Sequence, residues 1–241
     1  MSTKTTILPL SLDRVCYSAG GTRLIEDFST SFTADERTII LGPNGAGKSL
    51  LLRLCHGLLK PASGTISWQG SNTGDAARRQ AMVFQKPVTL RRSVAANVDY
   101  ALGIRKVPRA RRRELVVSAL TLAGLSGLAS RPARVLSAGE QQRLALARAW
   151  VLSPEVLFLD EPTANLDPAA TRAVENMISS IHDDGAKIIM TTHDLGQARR
   201  LADHVLFMHQ GRLVEEAVAE SFFANPETAL AKAFLDGELL G

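Results

Sequence analysis

The 241-residue chain has two cysteines, 5% aromatic residues and no long apolar run, and each shortage excludes something. Cys16 and Cys55 stand in dissimilar surroundings and belong to no CxxC pair. They read as small core residues, which argues against a disulfide framework or a thiolate metal site. The five histidines show no metal-ligand spacing such as HExxH. No apolar run approaches the roughly 18 residues that a membrane span needs. Met1–Thr6 shows no charged segment leading into an apolar core and cleavage site, so a cytoplasmic chain is expected. There is no internal repeat, low-complexity linker or heptad pattern. The net charge of +4 is mildly basic, and arginines bunch at Arg109, Arg111, Arg112 and Arg113. Aromatic residues do not interleave with them, so the cluster reads as a solvated helix face, and no nucleic-acid partner is expected.

What is present centres on Leu41-Gly42-Pro43-Asn44-Gly45-Ala46-Gly47-Lys48-Ser49. The β-branched run Thr38-Ile39-Ile40-Leu41 precedes it, and a helical stretch, Leu50–Leu54, follows. Gly42, Gly47, Lys48 and Ser49 match G-x-x-x-x-G-K-[ST] in the strand–loop–helix setting that the pattern requires. Glycines let the loop curl and aim backbone N–H groups at phosphate oxygens. The helix start adds its positive dipole end. Lys48 supplies a point charge for β and γ phosphates, and the Ser49 hydroxyl is a ligand for Mg²⁺. These residues imply a nucleoside triphosphate site.

The rest of the chain reads as α/β. Residues from Ile7 to about Phe32 suggest short strands around a Ser18–Gly21 turn, with imperfect alternation. A helix is expected from Lys48 to about Leu59, weakened by Gly57 and stopped by Pro61. Strands are expected at Gly64–Gly70 and Ala81–Phe84. From about Pro87 to Leu128 the pattern turns helical, with Val94, Val98, Ala101 and Leu102 on one face and Leu115, Ala119 and Leu122 on another. Gln141–Val151 reads as helix and Val156–Leu159 as a strand buried on both faces. Further elements are a helix at Pro168–Ile181, a strand at Lys187–Met190, a helix at Asp194–Ala202, a hairpin about Gln210-Gly211 and a helical tail broken at Asn225-Pro226. Helices lying between two βα segments imply an α/β core with an inserted all-α subdomain. The expected boundaries are a core of 1–86 and 152–241, and a helical part of 87–151, in a single domain.

A second constellation follows the strand: Val156-Leu157-Phe158-Leu159 runs into Asp160-Glu161. A parallel strand delivers such carboxylates to the sheet edge that carries the phosphate loop. Asp160 is placed to hold Mg²⁺, directly or through water, and Glu161 to polarise an attacking water. Leu136-Ser137-Ala138-Gly139-Glu140-Gln141 contains S-x-x-E, a capping box that by itself says only that a helix starts there.

Taken in order, these motifs resemble, over nearly the whole chain, the ATP-binding subunits of ABC transporters. The fold so implied is a phosphate-loop NTPase core with an N-terminal antiparallel β-subdomain and an inserted helical subdomain. The resemblance makes 136–141 the signature stretch, with Ser137 and Gly139 contacting the γ-phosphate held by a second copy of the chain. Ala138 and Glu140 depart from the usual LSGGQ, and a backbone at Ala138 compatible with alanine is expected. The resemblance further places Tyr17 on adenine, Gln85 at the metal and water, Asp167 at the dimer seam and His193 on the γ-phosphate. It implies ATP and Mg²⁺ as cofactors, an ATP-sandwiching homodimer, separate permease subunits on the inner face of the plasma membrane, and a solute-binding protein acting indirectly. Lys86–Arg92 would line the permease groove. Arg131-Pro132-Ala133-Arg134, Glu140–Trp150 and His193–Arg200 resemble tungstate-type oxyanion importers, and no C-terminal regulatory domain is expected. Importers of molybdate, phosphate or amino acids, and a soluble ABC ATPase, are the alternatives.

Overall fold

The computed structural model describes residues 6–69 and 73–238; Met1–Thr5, Gly70–Asn72 and Leu239–Gly241 lie outside them, including the expected end of one strand at Gly70. The chain begins with a hairpin of β1 (Leu10–Ala19) and β2 (Thr22–Phe32), which β4 (Ser63–Trp68) joins in an antiparallel sheet ordered β2-β1-β4. Register shifts interrupt the hairpin around Val15 and Tyr17, and Arg14 and Asp27 take positive φ. These bulges explain the imperfect alternation of the sequence.

The second sheet is built from β3 (Thr38–Leu41), β5 (Gln80–Val83), β6 (Val156–Asp160), β7 (Lys187–Thr192), β8 (His204–His209) and β9 (Arg212–Val218). Its order is β5-β6-β7-β3-β8-β9, parallel except for β9. Strand alternation divides the interior in two. Ile40, Phe158, Ile189 and Leu206 point into a core shared with the first sheet and α1 (Lys48–His56). Ile39, Leu157, Leu159, Ile188 and Phe207 point the other way, into a core shared with the helices. Every residue of β3, β6 and β7 is buried, as expected of a parallel sheet covered on both faces.

The remaining helices are α2 (Thr73–Arg79), α3 (Val94–Ile104), α4 (Arg109–Leu122), α5 (Ala138–Trp150), α6 (Pro168–Asp183), α7 (Leu195–Leu201), α8 (Ala219–Ala224) and α9 (Ala229–Leu235). Of these, α3, α4 and α5 form the inserted helical subdomain. The structure departs from the sequence reading at three places. First, α1 ends at His56, because Gly57 takes φ 83° and donates to the carbonyls of Arg53 and Leu54. A left-handed glycine closes the helix, and Pro61 plays no part in stopping it. Second, α2 was unanticipated; its Asp75, Arg78 and Arg79 leave little apolar periodicity to read. Third, helix begins only at Val94. Residues 87–93 are irregular, bent at Arg91 and Arg92, and are held by buried Asn97, whose Oδ1 accepts from Leu90 N–H at 2.8 Å and whose Nδ2 donates to the Ser93 carbonyl at 2.9 Å. On α4 the buried seam is Val116, Ala119 and Leu120, with Leu115 and Leu122 only half-buried beside it.

Lys187 opens β7 buried, with its ammonium donating to Thr38 Oγ1 at 2.8 Å. Burial pushes its pKa down to about 8, against a partial pull upward by Glu36, Asp203 and Asp35. The unfolded chain, with an ordinary lysine near 10.5, binds more protons between these values, so this group makes stability rise with pH across that window. Urea denaturation of wild type and Lys187→Met at pH 8 and pH 10 checks this. The variant should lose the part of the rise due to Lys187; equal rises in both proteins would contradict it.

Candidate functional site

The parallel register brings three loops to one sheet edge. Leu41 pairs with Thr192 across β3 and β7, and Asp160 pairs with Thr191 across β6 and β7. The phosphate loop, the Asp160-Glu161 pair and His193 therefore meet there, outside the carboxyl ends of the strands.

The loop is shaped by glycine. A Cβ at Gly42 would lie 2.2 Å from the Met208 carbonyl oxygen, so no side chain fits there. Gly45 and Gly47 take φ of 83° and 97°, which other residues adopt only at a cost. Pro43, Asn44 and Gly45 form a turn closed by Ala46 N–H donating to the Pro43 carbonyl at 3.2 Å. Gly47 then caps α1 with no side-chain acceptor, and the first turn holds no acidic residue. By contrast, α3, α5, α6 and α7 start on Ser93, Ser137, Asp167 and Asp194, each accepting a backbone N–H. The α1 terminus thus keeps its N–H groups and positive dipole end for an anion.

Lys48 is 5% exposed, and its ammonium donates to the carbonyls of Gly42 at 2.7 Å and Pro43 at 3.0 Å. Glu161 Oε1 lies 3.7 Å from Lys48 Nζ and 3.2 Å from His193 Nδ1. Burial lowers the Lys48 pKa, while the Glu161 carboxylate opposes that shift. Asp160, also buried, accepts from Ser49 Oγ at 2.6 Å and from Thr191 Oγ1 at 3.0 Å through Oδ1. Ser49 and Asp160 offer two oxygens at one point, and the described residues contain no cluster of three acidic, histidine or cysteine ligands. Two oxygen ligands suit Mg²⁺, which keeps waters and takes substrate phosphates.

The structure thus joins Gly42–Ser49, Asp160, Glu161 and His193. Tyr17 sits half-buried on β1 opposite Ile25, whose Cδ1 would meet a Cβ on Gly47 at 2.8 Å; it therefore lies one strand away from the phosphate loop. Gln85 is exposed just beyond β5, and none of the Asp160 or Ser49 hydrogen bonds reaches it. Asp167 is the N-cap of α6, accepting from Ala170 N–H at 2.9 Å. Ser137 stands exposed at the start of α5 in a complete capping box with Glu140. Its side-chain bond stays within that cap, so this chain does not join it to its own phosphate loop. Gly139 is buried against α6, where a Cβ would lie 2.6 Å from Ala170 Cβ. Ala138 is the first helical residue and has no positive φ, so alanine fits without strain.

Thr191 went unrecognised in the sequence. It is fully buried, bonds Asp160, and accepts the Glu161 N–H at 3.0 Å. The signal was the hydroxyl pair Thr191-Thr192 ending an apolar strand just before His193. The segment 86–92 also divides unexpectedly. Pro87 and Val88 line an apolar groove of about 330 Å³ with Phe84, Tyr100 and Ile104. Arg91 and Arg92 line a different cavity with Arg134.

A phosphate-accepting loop, a buried lysine and two carboxylates at the end of a parallel sheet define a phosphate-loop nucleotide hydrolase with an inserted helical subdomain. Comparison with known proteins carries this further. The family model described as ABC transporter matches residues 25–164. The phosphate import ATP-binding protein PstB 2 of Natronomonas pharaonis is 36% identical, covering 96% of this chain and 87% of that one. The tungstate uptake system ATP-binding protein TupC of Peptoclostridium acidaminophilum is 37% identical, covering 90% of this chain and 100% of its own. The solved structure of cbiO1 from Clostridium perfringens, part of the ABC transporter complex cbiONQ, superposes with a TM-score of 0.81 at 32% identity and 94% coverage of both chains. The chain belongs to the ABC transporter family, as an ATP-binding subunit of the kind that hydrolyses ATP to drive transport.

Three substitutions test the start of α5. Gly139→Ala should force α5 away from α6 and destabilise the fold by about 1–3 kcal/mol, and Ala170→Gly should restore the loss in a thermal melt. Ala138→Gly should leave ATP turnover near wild type. A greatly raised turnover would contradict the unstrained geometry at Ala138.

Proposed function

We propose that this chain is the ATPase subunit of an importer, working as a homodimer that closes on two ATP molecules. The observation that carries this is the division of the site. Lys48, Ser49, Asp160, Glu161 and His193 converge in one chain, while Ser137 at the start of α5 bonds only within its own cap among the described residues. Exposed Ser137 supplies the second wall of the site from the other copy, with the backbone of buried Gly139 behind it. The half-site arrangement makes ATP the bond between subunits.

The chemistry follows from side-chain placement. Backbone N–H groups of Gly45–Ser49 and the Lys48 ammonium hold the β and γ phosphates. Mg²⁺ would be held by Ser49 and Asp160, with Gln85 drawn in as the subunits close, and would neutralise phosphate charge. Glu161 orients the attacking water and accepts its proton. His193, 3.2 Å from Glu161, holds the γ-phosphate oxygen beside that water. Tyr17 stacks on the adenine, and Asp167 fixes the turn at the seam between copies.

Among the described residues no helix is long and apolar enough to cross a membrane, so the reading requires separate permease subunits. We place them on the groove between the end of β5 and helices α3 and α5. Phe84, Val88, Tyr100 and Ile104 are exposed there at 40%, 76%, 39% and 63%, an apolar patch that suits a docked helix. We take 87–151 as the moving helical part and 1–86 with 152–241 as the core, the whole lying on the cytoplasmic face of the membrane. A solute-binding protein acts on the far side. The solute proposed is tungstate or a related oxyanion, on the resemblance around Arg131–Arg134 and His193–Arg200. Two relatives serving oxyanions, at 36% and 37% identity, are consistent with the class and do not separate its members.

Glu161→Gln should bind ATP, form an ATP-dependent dimer on size exclusion and lose nearly all turnover. Wild-type turnover in this variant would remove Glu161 from catalysis. Co-purification with a membrane permease, and oxyanion binding by the associated binding protein, test the transport reading; an amino-acid-specific binding protein would overturn the oxyanion assignment.

A further inference from the structure

The turn after Glu161 and the helix after His193 are joined by a buried polar strut that the hydrolytic groups do not themselves explain. Gln197, on α7, is fully buried. Its Nε2 donates to Thr163 Oγ1 at 2.7 Å and to Glu175 Oε1 at 3.2 Å. Thr163 lies two residues beyond Glu161, in a turn closed by Ala164 N–H on the Glu161 carbonyl and Leu166 N–H on the Thr163 carbonyl, both at 3.2 Å. Glu161 and Asn165 hold positive φ of 44° and 61° in that turn, so it is a shaped segment. Glu175, on α6, is itself gripped by Arg200 of α7 through bonds of 2.9 and 2.6 Å. The backbone N–H of Gln197 meanwhile bonds Asp194 Oδ1 at 2.9 Å, which caps α7 one residue after His193.

We propose that Gln197 is a positioning residue for hydrolysis. Its amide fixes the Glu161 turn against the His193 loop, so that carboxylate and imidazole keep the spacing that water attack requires. The β6–β7 pairing sets that spacing from the sheet side; Gln197 sets it from the outer side, where both segments have left the sheet. Gln197 touches no reacting atom, so its loss changes turnover and leaves nucleotide affinity intact. The inference rests on the hydrolytic roles proposed for Glu161 and His193.

The test is ATP turnover and affinity of the full chain, with its permease where they co-purify, in Gln197→Leu, Thr163→Val, Thr163→Ser and the double variant Gln197→Leu/Thr163→Val. Gln197→Leu and Thr163→Val should each lower kcat by about tenfold or more, the scale expected of a small misplacement, with KM and ATP affinity near wild type. Thr163→Ser, which keeps the hydroxyl, should retain turnover. The double variant should be no worse than either single one, since both remove the same bond. Turnover within about twofold of wild type, losses that multiply, or a fall in ATP affinity matching the fall in kcat would each overturn the proposal. A Glu161→Gln control separates the two readings. Undiminished turnover there refutes the hydrolytic assignment and this inference with it; a dead control beside an active Gln197→Leu refutes the strut alone.

Discussion

Burying an ammonium and a carboxylate at one sheet edge is the constraint on which the site end of this protein depends. Lys48 and Asp160 are 5% and 3% exposed, and each such charge costs several kcal/mol unless its hydrogen-bonding capacity is met. The fold meets it with placed groups. Lys48 has two loop carbonyls and the Glu161 carboxylate, and Asp160 has the hydroxyls of Ser49 and Thr191. None of these partners is adjacent in sequence to the group it serves. The parallel register of β6, β7 and β3 delivers them together, and Gly42 lets the loop pass close enough to the Met208 carbonyl to close over them.

The same economy fits the proposal that one copy holds part of a site. Helix termini facing solvent or a neighbour in this chain are mostly satisfied by side chains: Ser93, Ser137, Asp167 and Asp194 all serve as N-caps. The terminus of α1 is left to glycine. Ser137 does two things at once, since its capping box holds the start of α5 firm while leaving the residue exposed. Such a rigid, outward-facing helix end suits contact across a dimer seam.

The sequence made the phosphate loop, the Asp160-Glu161 pair and the order of βα segments readable, because each is local: a run of β-branched residues, a glycine spacing, carboxylates after an apolar strand. The capping box at Ser137 was readable for the same reason. What escaped was set by distant partners. Thr191 matters through its contact with Asp160, thirty-one residues away. Asn97 keeps 87–93 out of the helix by bonding backward to Leu90, and helical periodicity alone could not foresee it. Gly57 ends α1 through a positive φ that the pattern of Leu residues around it conceals. Gly139 reads in the motif as a ligand contact, and its observed packing on Ala170 shows that helix spacing also demands a glycine there.

The central claim is that Ser137 of one copy completes the phosphate loop of another. Cysteines placed at Asn44 and Ser137, with Cys16 and Cys55 changed to serine and Glu161 to glutamine, test it by disulfide trapping. The account predicts a cross-link between two copies that forms with ATP and fades without it. A cross-link confined to one chain, or one indifferent to ATP, would contradict it.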